Sequence, residues 1–374
     1  MKIALTIHAL YGGGAERQLA ELADFLMTHG HQVTVITLDR VDTDQYQVDP
    51  GVQRIGLGLM RESRNLLDAI LANRRRVRAL AHQLKRLRPD VVISFTDKMN
   101  IVTLASKPPH PVILAERSDP RKQKLSRLWE TWRNRTYPRA AAMVSLTEPI
   151  ASALRARFPN NKVVVIPNAV AITTSSPPKR DNEPNANDKP TYRAIAVGRL
   201  SPEKGFDLLL KAWKQAAPDD SSWELVIVGD GPLRPQLEAL IAELNLANEV
   251  HLAGWCRDVA AQYHQADLYI SSSHYEAMSR SLLEALSHQL PAIVTRATDG
   301  LEELVQENVN GWLVPTNDVE ALARAISSAT SPATKLREYG KHSASLVQSH
   351  AWENVGPKWL DLIQTVSVCN QKTS

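Results

Sequence analysis

Short runs of consecutive apolar residues alternate with longer amphipathic stretches along almost the whole chain. In residues 15–28, for example, the apolar positions Leu19, Leu22, Ala23 and Leu26 recur every three or four residues, as on one face of a helix. Buried strands are apolar throughout, whereas a covering helix is apolar on one side only, so the alternation predicts an α/β fold. The predicted strands are residues 2–7, 33–38, 91–95, 112–114, 141–145 and 163–166, then 194–197, 225–228, 250–252, 268–271, 292–294 and 311–314.

The two series of strands are separated by residues 173–190, which are poor in apolar residues and rich in Ser, Pro, Asn and charge. Such a composition cannot bury a core, so this stretch is predicted to be a flexible linker. A chain of 374 residues also favours two domains. We therefore expect one domain over 1–172 and a second over 191–354, followed by a C-terminal amphipathic helix in 355–374.

The chain between residues 273 and 294 is the most informative segment for function. A loop follows the predicted strand 268–271, and a helix is predicted to open near residues 279–281. In an open α/β sheet, ligands bind at this end of a strand, and a helix N-terminus there favours a phosphate. The backbone amides of Ser279, Arg280 and Ser281 are therefore candidates for holding a diphosphate.

Two carboxylates, Glu276 and Glu284, lie on either side of this predicted helix start. They are candidate acceptors for hydroxyl groups, one from a sugar and one from a ribose. A structural alternative stays open, because Ser281 and Glu284 also match a Ser-x-x-Glu capping box and Glu276 could be an ordinary loop acid.

Two glycine-containing turns offer further anion sites. Three glycines, residues 12–14, follow the first predicted strand, and a second loop after strand 194–197 carries Arg199 and Lys204 five residues apart. The first turn favours a phosphate or is simply a tight turn, and the second is suited to two phosphate charges. A dehydrogenase is a further alternative, since Asp39 ends the second strand, but the turn reads YGGGAE rather than G-x-G-x-x-G.

Polar residues also follow two strands of the first half, where a site would lie in an α/β sheet. Asn100 comes after strand 91–95, and Glu116 and Arg117 come after strand 112–114. These three residues are candidates for binding a second substrate.

Residues 121–140 are predicted to form a basic amphipathic helix. A basic helix with Trp at its edge is suited to an anionic membrane surface or a lipid phosphate. The alternatives are a solvated basic face, which is also our interpretation of the predicted helix 73–88, and nucleic acid, which no recognisable motif supports. The candidate membrane or lipid-phosphate residues are Lys124, Arg127, Trp129, Trp132, Arg133 and Arg135.

Composition narrows the class of protein. The apolar content of 43% and charged content of 22% are typical of a globular protein, and the net charge is only +4. The two cysteines, Cys256 and Cys369, are far apart and predict neither a disulfide framework nor a metal site. The apolar runs are too short for a signal peptide or a membrane span, so we expect a cytoplasmic protein.

Several motifs occur in the order seen in one enzyme family. The chain resembles retaining nucleotide-sugar glycosyltransferases of the GT-B type, family 4, over nearly its whole length. This resemblance implies an α/β fold of two Rossmann-like domains that face each other across a cleft, with the last helix crossing back onto the first domain. The motifs are IPNAV at 166–170, GRLSPEKGFD at 198–207, VGDGPLRPQLE at 228–238, the Glu276/Glu284 pair and GWLVP at 311–315.

The resemblance also implies a role for each candidate residue. Arg199 and Lys204 would bind the donor diphosphate, Glu284 the ribose, and Glu276 the transferred sugar, so that Glu276, Arg199 and Lys204 form the catalytic set. Gly13 and Gly14 would approach donor and acceptor from the first domain, which makes the first domain the acceptor domain and the second the donor domain. Neither a metal ion nor a cofactor is implied.

Within the family, residues 91–105, 114–120 and 129–138 look closest to enzymes that add sugars to polyprenyl-diphosphate-linked oligosaccharides. We therefore predict transfer from a nucleotide sugar, which this likeness implies to be a UDP-sugar, to a lipid-linked oligosaccharide or polysaccharide precursor at the inner face of a membrane. The alternative is a sugar-nucleotide-binding protein with little turnover. Three positions depart from the family pattern: Arg117 stands where a His is common and cannot act as a base, and Ala277 and Gln289 replace usual glycines.

Overall fold

A computed structural model describes residues 1–61, 63–172, 192–216, 223–331 and 333–371. The chain forms two compact units, the first made of Met1–Ala169 together with Glu353–Ser374 and the second of Val170–Trp352. The predicted linker, 173–190, lies outside the described residues.

The first unit is built on one parallel sheet of seven strands in the order β3-β2-β1-β4-β5-β6-β7. The chain reverses its direction of travel across the sheet between β1 and β4. This reversal is the topological switch point, beside which open α/β sheets bind their ligands. The strands are β1 (Lys2–Ile7), β2 (Gln32–Thr37), β3 (Gln53–Gly56), β4 (Val91–Phe95), β5 (Val112–Ala115), β6 (Ala142–Ser145) and β7 (Val163–Val165).

Five helices connect these strands, and their apolar faces cover the sheet. Leu19, Leu22 and Leu26 of the first helix are fully buried, as the helical spacing of the sequence predicts. The helices are α1 (Gly14–Thr28), α2 (Leu66–Leu87), α3 (Asp97–Ala105), α4 (Arg127–Thr136) and α5 (Glu148–Arg157).

The second unit repeats the plan with six parallel strands in the order β10-β9-β8-β11-β12-β13, so its switch point lies between β8 and β11. The strands are β8 (Tyr192–Val197), β9 (Trp223–Val228), β10 (Val250–Gly254), β11 (Leu268–Ser271), β12 (Ala292–Thr295) and β13 (Gly311–Val314). The helices are α6 (Phe206–Ala216), α7 (Arg234–Glu243), α8 (Val259–His264), α9 (Arg280–Ser287), α10 (Val319–Thr330) and α11 (Ala333–Leu346).

The sheet of the second unit is buried on both faces, which explains why its strands are continuous apolar runs. Ala194 and Ala196 of β8 face one hydrophobic cluster, which contains Leu209 and Trp213 of α6. Ile195, between them, faces a second cluster with the leucines of α9. Because side chains alternate along a strand, the strands β8, β9, β11 and β12 each contribute to both cores.

The last helix, α12 (Trp352–Gln371), belongs almost entirely to the first unit. Trp359 is fully buried and stacks on Phe95 of β4, with ring centroids 6.2 Å apart. A Cβ on Gly356 would lie 2.2 Å from the ring of Phe25, so only glycine lets α12 approach α1 this closely.

The structure corrects three predicted helix boundaries. The basic helix begins at Arg127 rather than Arg121, because the amides of Lys122 and Gln123 turn back to the carbonyl of Asp119. Helix α2 begins seven residues earlier than the predicted Asn73, where the side chain of Asn65 caps it by accepting from the amide of Asp68. The predicted helix between 299 and 308 is only a 3-10 turn, Leu301–Glu303.

Candidate active site

Glycines bring the loops after β8 and β9 into direct backbone contact. Gly229 has φ +140°, and a Cβ there would lie 1.9 Å from the carbonyl oxygen of Gly198. A Cβ on Gly198 would in turn lie 3.1 Å from Cε of Lys204. These two glycines therefore leave room for the Lys204 side chain to extend across the carboxyl end of the sheet.

Lys204 and Glu276 form an ion pair at this edge. The Nζ atom of Lys204 lies 2.5 Å from Oε1 of Glu276, which also accepts a hydrogen bond of 2.9 Å from the hydroxyl of Ser273. Burial alone would lower the pKa of Lys204, but the charge and hydrogen bond of Glu276 outweigh it and raise that pKa. Lys204 is therefore a fixed positive charge at neutral pH.

The loop that carries Glu276 is hydrogen-bonded to the loop that carries Lys204. The hydroxyl of Ser272 donates to the carbonyl of Lys204 at 2.9 Å, and the amide of His274 donates to the carbonyl of Glu203 at 2.8 Å. A Cβ on Gly205 would lie 2.4 Å from the carbonyl oxygen of Ser272, and Gly205 has φ +60°. The Lys204 loop and the Glu276 loop are thus packed backbone to backbone, which fixes the ion pair.

The N-terminus of α9 lies in the next part of the same loop. Its N-cap is Ser279, whose hydroxyl accepts from the amide of Leu282 at 3.4 Å. The suggested capping box of Ser281 and Glu284 is therefore wrong, because Ser281 is already inside the helix. Glu284 instead accepts a hydrogen bond of 2.7 Å from Nε of Arg280, and both side chains are almost fully buried.

Tyr269 of β11 connects the two parts of the site. Its hydroxyl lies 2.8 Å from that of Ser281, and burial raises its pKa, with Glu276 adding to the increase and Lys204 opposing it. Tyr263 of α8 donates to the carbonyl of Ser281 at 3.1 Å and contacts Glu284 at 3.5 Å. The predicted residues Lys204, Glu276, Ser281 and Glu284 therefore belong to one connected cluster.

Arg199 occupies the start of the Lys204 loop. Its backbone carbonyl accepts from the amide of Ser201 at 2.8 Å, and its side chain is exposed. Within the described part of the chain the Arg199 guanidinium forms no ion pair. It is therefore a cation at the carboxyl edge of the sheet whose donor groups face solvent.

The corresponding edge of the first unit contains a buried polar group. Glu116 is 2% exposed and accepts hydrogen bonds from the hydroxyls of Tyr137, at 2.8 Å, and Ser118, at 3.0 Å. Asn100 is fully buried and donates to the Tyr137 hydroxyl at 3.4 Å. Burial raises the pKa of Glu116, although the nearby Arg133 opposes this. Both buried side chains therefore contact the Tyr137 hydroxyl, and their predicted contact with an acceptor stays a prediction.

Arg117 lies beside this group and is partly exposed. Its guanidinium carbon is 4.6 Å from the centroid of Phe95 and 5.7 Å from that of Trp359, within range of cation–π attraction. Its Nη1 donates to the side chain of Asn168 at 3.3 Å. Arg117 is thus held in one orientation at the position where a His was expected from the family pattern.

The glycine turn after β1 is covered by a carboxylate. Gly13 precedes α1 and Gly14 begins it, but a Cβ on Gly13 would lie 2.2 Å from Oε2 of Glu16. Glu16 also pairs with Nε2 of His8 at 3.3 Å. The positive end of the helix dipole therefore already interacts with an anionic side chain.

Asp39 argues against the dehydrogenase alternative. It is 6% exposed and accepts hydrogen bonds from the hydroxyls of Tyr11 and Thr43. A carboxylate engaged in this way is not presented to the ribose of a dinucleotide.

The structure also corrects one member of the predicted membrane helix. Arg133 is 1% exposed and forms ion pairs with Glu130, at 3.3 Å, and Asp97, at 3.5 Å, so it faces the interior of the first unit. Trp129 and Trp132 are half-buried, with ring centroids 5.5 Å apart. The exposed members of the predicted set are Lys124, Arg127 and Arg135.

The two substituted glycine positions differ in conformation. Gln289, two residues beyond the last residue of α9, has φ +60°, which is the left-handed conformation that glycine normally supplies at this place after a helix. Ala277, by contrast, is not among the residues with positive φ. Of these two substituted positions, only Gln289 therefore has a strained backbone conformation.

Sequence reasoning did not identify five polar residues of these two edges. Glu16 and Tyr269 lie within a predicted helix and a predicted strand, and no motif spacing marks any of the five. An aromatic hydroxyl inside an otherwise apolar strand was the available signal for one of them, Tyr269. The five are His8, Glu16, Tyr263, Tyr269 and Ser273.

Comparison with known proteins gives matches over both units. A model of "Glycosyltransferase Family 4" matches residues 12–174, and one of "Glycosyl transferases group 1" matches residues 179–344. The chain is 26% identical over 371 residues to an N-acetylgalactosaminyltransferase of Campylobacter jejuni, covering 98% of this chain and 99% of the relative. That relative is named for transfer onto a GalNAc-GalNAc-diNAcBac oligosaccharide linked to undecaprenol by a diphosphate.

Two solved structures share the fold at low identity. Sucrose-phosphate synthase from Thermosynechococcus elongatus superposes with a TM-score of 0.82 and 20% identity, covering 98% of this chain and 99% of that one. HepE of Anabaena, solved with UDP and glucose, has a TM-score of 0.74 and 19% identity, covering 98% and 100%.

The fold of two parallel α/β units and these matches define a glycosyltransferase of the GT-B class. Within that class the chain belongs to glycosyltransferase family 4, as the two family models together match most of its length. Among the described residues, no helix has both the length and the apolar character needed to cross a membrane.

Proposed function

We propose that this glycosyltransferase moves a sugar from a UDP-sugar to a polyprenyl-diphosphate-linked oligosaccharide or polysaccharide precursor, with retention of anomeric configuration. The observation that carries this proposal is the Lys204–Glu276 pair of 2.5 Å beside the N-terminus of α9. A cation, a carboxylate and the amides of a helix N-terminus at the carboxyl ends of strands are what a departing diphosphate and a sugar hydroxyl require.

The proposed roles follow from where each group lies. Lys204 and the exposed Arg199 neutralise the two phosphates of the donor, and the amides of Ser279, Arg280 and Ser281 bind the same anion. Glu276 accepts from a hydroxyl of the transferred sugar. Glu284, which accepts from Arg280 and contacts Tyr263, accepts from the ribose as well, since a carboxylate has about four acceptor positions.

Catalysis then consists of positioning and charge stabilisation. The acceptor hydroxyl attacks the anomeric carbon from the face that the diphosphate leaves, which retains the configuration. The bond from that carbon to the diphosphate oxygen breaks, UDP leaves with the electron pair, and the hydroxyl proton passes to the departing diphosphate oxygen. Fixed donors around the leaving group lower the barrier because they need no rearrangement as negative charge develops. Arg117, held by Phe95, Trp359 and Asn168, contributes a further positive charge on the acceptor side.

The lipid-linked acceptor is supported by the name of the Campylobacter relative, and UDP by the ligand of the HepE structure. A peripheral position on the inner face of a membrane agrees with such an acceptor. Helix α4 offers exposed Arg127 and Arg135 together with Leu128, which is 63% exposed.

The test is a transfer assay with a panel of UDP-sugars and GDP-sugars and a polyprenyl-diphosphate-linked oligosaccharide. UDP release coupled to a heavier lipid-linked product supports the proposal, and NMR of that product determines the anomeric configuration. Tight binding of a UDP-sugar without release or product would instead indicate a binding protein. An inverted product would contradict the proposed stereochemistry.

A further inference from the structure

A basic cavity in the first unit lies apart from the sugar-transfer residues. It has a volume of about 410 Å³ and is bounded by α2, the end of α3, and α4 with the turn that follows it. Lys107, on its wall, lies between α3 and β5, which is the edge where the strands begin. Glu116 and Arg117 lie at the opposite edge of this sheet, where β5 ends.

The walls of the cavity carry four cations and an aromatic ring. None of the described residues that line it is acidic. The nearby acids are engaged elsewhere, since Glu130 pairs with Arg133 and Arg157, and Asp97 pairs with Arg133. The lining residues that matter here are Arg74, Arg78, Lys107, Arg139 and Trp132.

The backbone holds one of these cations and changes direction at another. Nη2 of Arg139 donates to the carbonyl of Leu104 at 2.7 Å, at the C-terminal end of α3. Lys107 has φ +49°, a conformation that turns the chain immediately after that helix. Several cations that converge on a concave surface repel one another, and a bound phosphate relieves that repulsion with charge-assisted hydrogen bonds.

An exposed apolar patch lies on the same face of α2. Leu67 is 74% exposed, Leu71 is 52% exposed and Ile70 is 45% exposed. Residues 67, 71, 74 and 78 follow helical spacing, so the apolar patch continues directly into Arg74 and Arg78. Large apolar side chains beside clustered arginines on one helix face are typical of a helix that lies in a membrane interface.

We infer that this face of α2 and the adjoining cavity dock the protein onto an anionic bilayer, with a lipid phosphate headgroup in the cavity. Leu67, Ile70 and Leu71 insert among the acyl chains, and Arg74, Arg78, Lys107 and Arg139 surround the phosphate. Trp132, half-buried at the rim, takes the interfacial position that Trp prefers. The inference rests on the proposed function in one respect, that the acceptor is embedded in a bilayer.

The experiment measures sedimentation of the full-length protein with vesicles containing phosphatidylglycerol and with vesicles of phosphatidylcholine alone. Arg74→Gln combined with Arg78→Gln should weaken binding to the anionic vesicles about 30-fold, since each basic residue near such a surface contributes a factor of about five. The matched control is Arg337→Gln with Lys341→Gln on α11, which removes the same charge. It should change binding by less than about threefold, because neither residue belongs to the proposed contact surface.

A second variant tests the apolar patch without changing any charge. Leu67→Ser with Leu71→Ser should weaken vesicle binding at least about tenfold, because their apolar area no longer enters the bilayer. Both side chains are exposed, so the folded state should keep its melting temperature. Equal binding of the wild type, both test variants and the control would overturn the inference.

A separate measurement distinguishes a lipid phosphate from a free anion. Sodium pyrophosphate is added to the wild type and to the Arg74/Arg78 variant, and the melting temperatures are compared. Protection of the wild type alone, combined with unchanged vesicle binding of both test variants, would mean a site for a soluble anion and contradict lipid docking.

Sugar-nucleotide hydrolysis in solution separates this inference from the proposed function. The α2 variants should hydrolyse the donor at the wild-type rate and lose transfer only to acceptors in vesicles. If the wild type binds anionic vesicles as expected but never releases UDP, the result would contradict the proposed function and still support the docking surface.

Discussion

The guanidinium of Arg117 lies over the indole ring of Trp359, with 5.7 Å between its central carbon and the ring centroid. Arg117 follows β5, whereas Trp359 belongs to α12 at the far end of the sequence. The last helix of the chain therefore forms one wall of the position that holds the candidate acceptor-side cation. Phe95 forms the second wall, at 4.6 Å.

We predict that Trp359→Ala lowers the free energy of unfolding by about 3–5 kcal/mol, the usual cost of removing a fully buried aromatic side chain. Trp359→Phe should cost less, since a ring remains to pack on Phe95. The matched control is Trp255→Ala, because Trp255 is 38% exposed and should cost under about 1 kcal/mol. Denaturant titration measures all three, and similar losses for Trp359 and Trp255 would contradict the packing described here.

Removing the ammonium of Lys204 should slow sugar transfer. Lys204→Ala is expected to reduce kcat by about 100- to 1,000-fold, the cost of deleting one preorganised group that stabilises a leaving anion. Lys214→Ala removes an exposed lysine of α6 and should leave kcat unchanged. Steady-state assays of UDP release compare the two, and a Lys204→Ala enzyme with the wild-type rate would remove Lys204 from the mechanism.

Substitutions at two glycines should distinguish the cost of backbone strain from the cost of a steric clash. Gly229 and Gly300 both have positive φ, +140° and +82°, but a Cβ on Gly229 would lie 1.9 Å from a carbonyl oxygen whereas one on Gly300 meets nothing within 4 Å. Gly300→Ala should therefore cost only about 1–2 kcal/mol, the penalty for the conformation itself. Gly229→Ala should cost more and also reduce sugar transfer, because Gly198 and the Lys204 loop must shift. Melting curves and activity of both variants test this, and equal effects would refute it.

Replacing Gln289 should stabilise the protein. Gln289→Gly restores the residue that a left-handed position after a helix favours, and we expect a gain of up to about 1 kcal/mol once the greater freedom of glycine in the unfolded chain is subtracted. Asn245→Gly at the equivalent place after α7, with φ +57°, should change stability less, because asparagine tolerates this conformation. A loss of stability in Gln289→Gly, measured by thermal denaturation, would show that its side chain makes a compensating contact.

The buried carboxyl of Glu116 makes stability depend on pH. Since burial raises its pKa in the folded state, the folded protein holds this proton more tightly than the unfolded chain. The stability it contributes is present below the ordinary pKa of 4.5 and is lost as pH rises through the raised value. The loss is about 1.4 kcal/mol for each unit by which the pKa is raised.

Glu116→Gln keeps a similar shape without the titration. Its stability relative to the wild type should therefore increase as pH rises through this window, measured by urea unfolding at a series of pH values. Glu148→Gln, on the surface of α5, is a control for the loss of a carboxylate elsewhere in the first unit. A constant difference between Glu116→Gln and the wild type at every pH would contradict the raised pKa.

The strands were predictable because a strand that is buried on both faces is a continuous run of apolar residues in the sequence. Lys2–Ile7, Leu268–Ser271 and Gly311–Val314 have the predicted bounds. Helix starts were less predictable where a polar side chain decides them. Asn65 caps α2 well before the basic stretch from which the helix was predicted. The additional first turns of α2 carry Leu67 and Leu71, whose exposure the periodicity of the sequence does not predict.

The candidate site was predictable only in part, and for a similar reason. Lys204 and Glu276 could be assigned to one site in advance because two strand-to-helix loops end at one edge of a parallel sheet, whereas their ion pair was not predicted. Tyr269 could not be assigned to the site from the sequence, since a tyrosine in a buried strand points to either face depending on register. Arg133 was misplaced because a charge in an amphipathic helix is assumed to face solvent, whereas Glu130 and Asp97 compensate it inside.

The first unit is assembled from two pieces, residues 1–169 and 353–374, that are separated by the whole of the second unit. A growing polypeptide emerges from the ribosome in order, so Phe95 and Phe25 become available long before Trp359 and Gly356, which pack on them. During synthesis the apolar surface that α12 will cover must therefore stay uncovered until the whole second unit has been made. The first unit is begun before the second and completed after it, so nascent chains truncated before residue 353 should depend on chaperones in a way that the released protein does not.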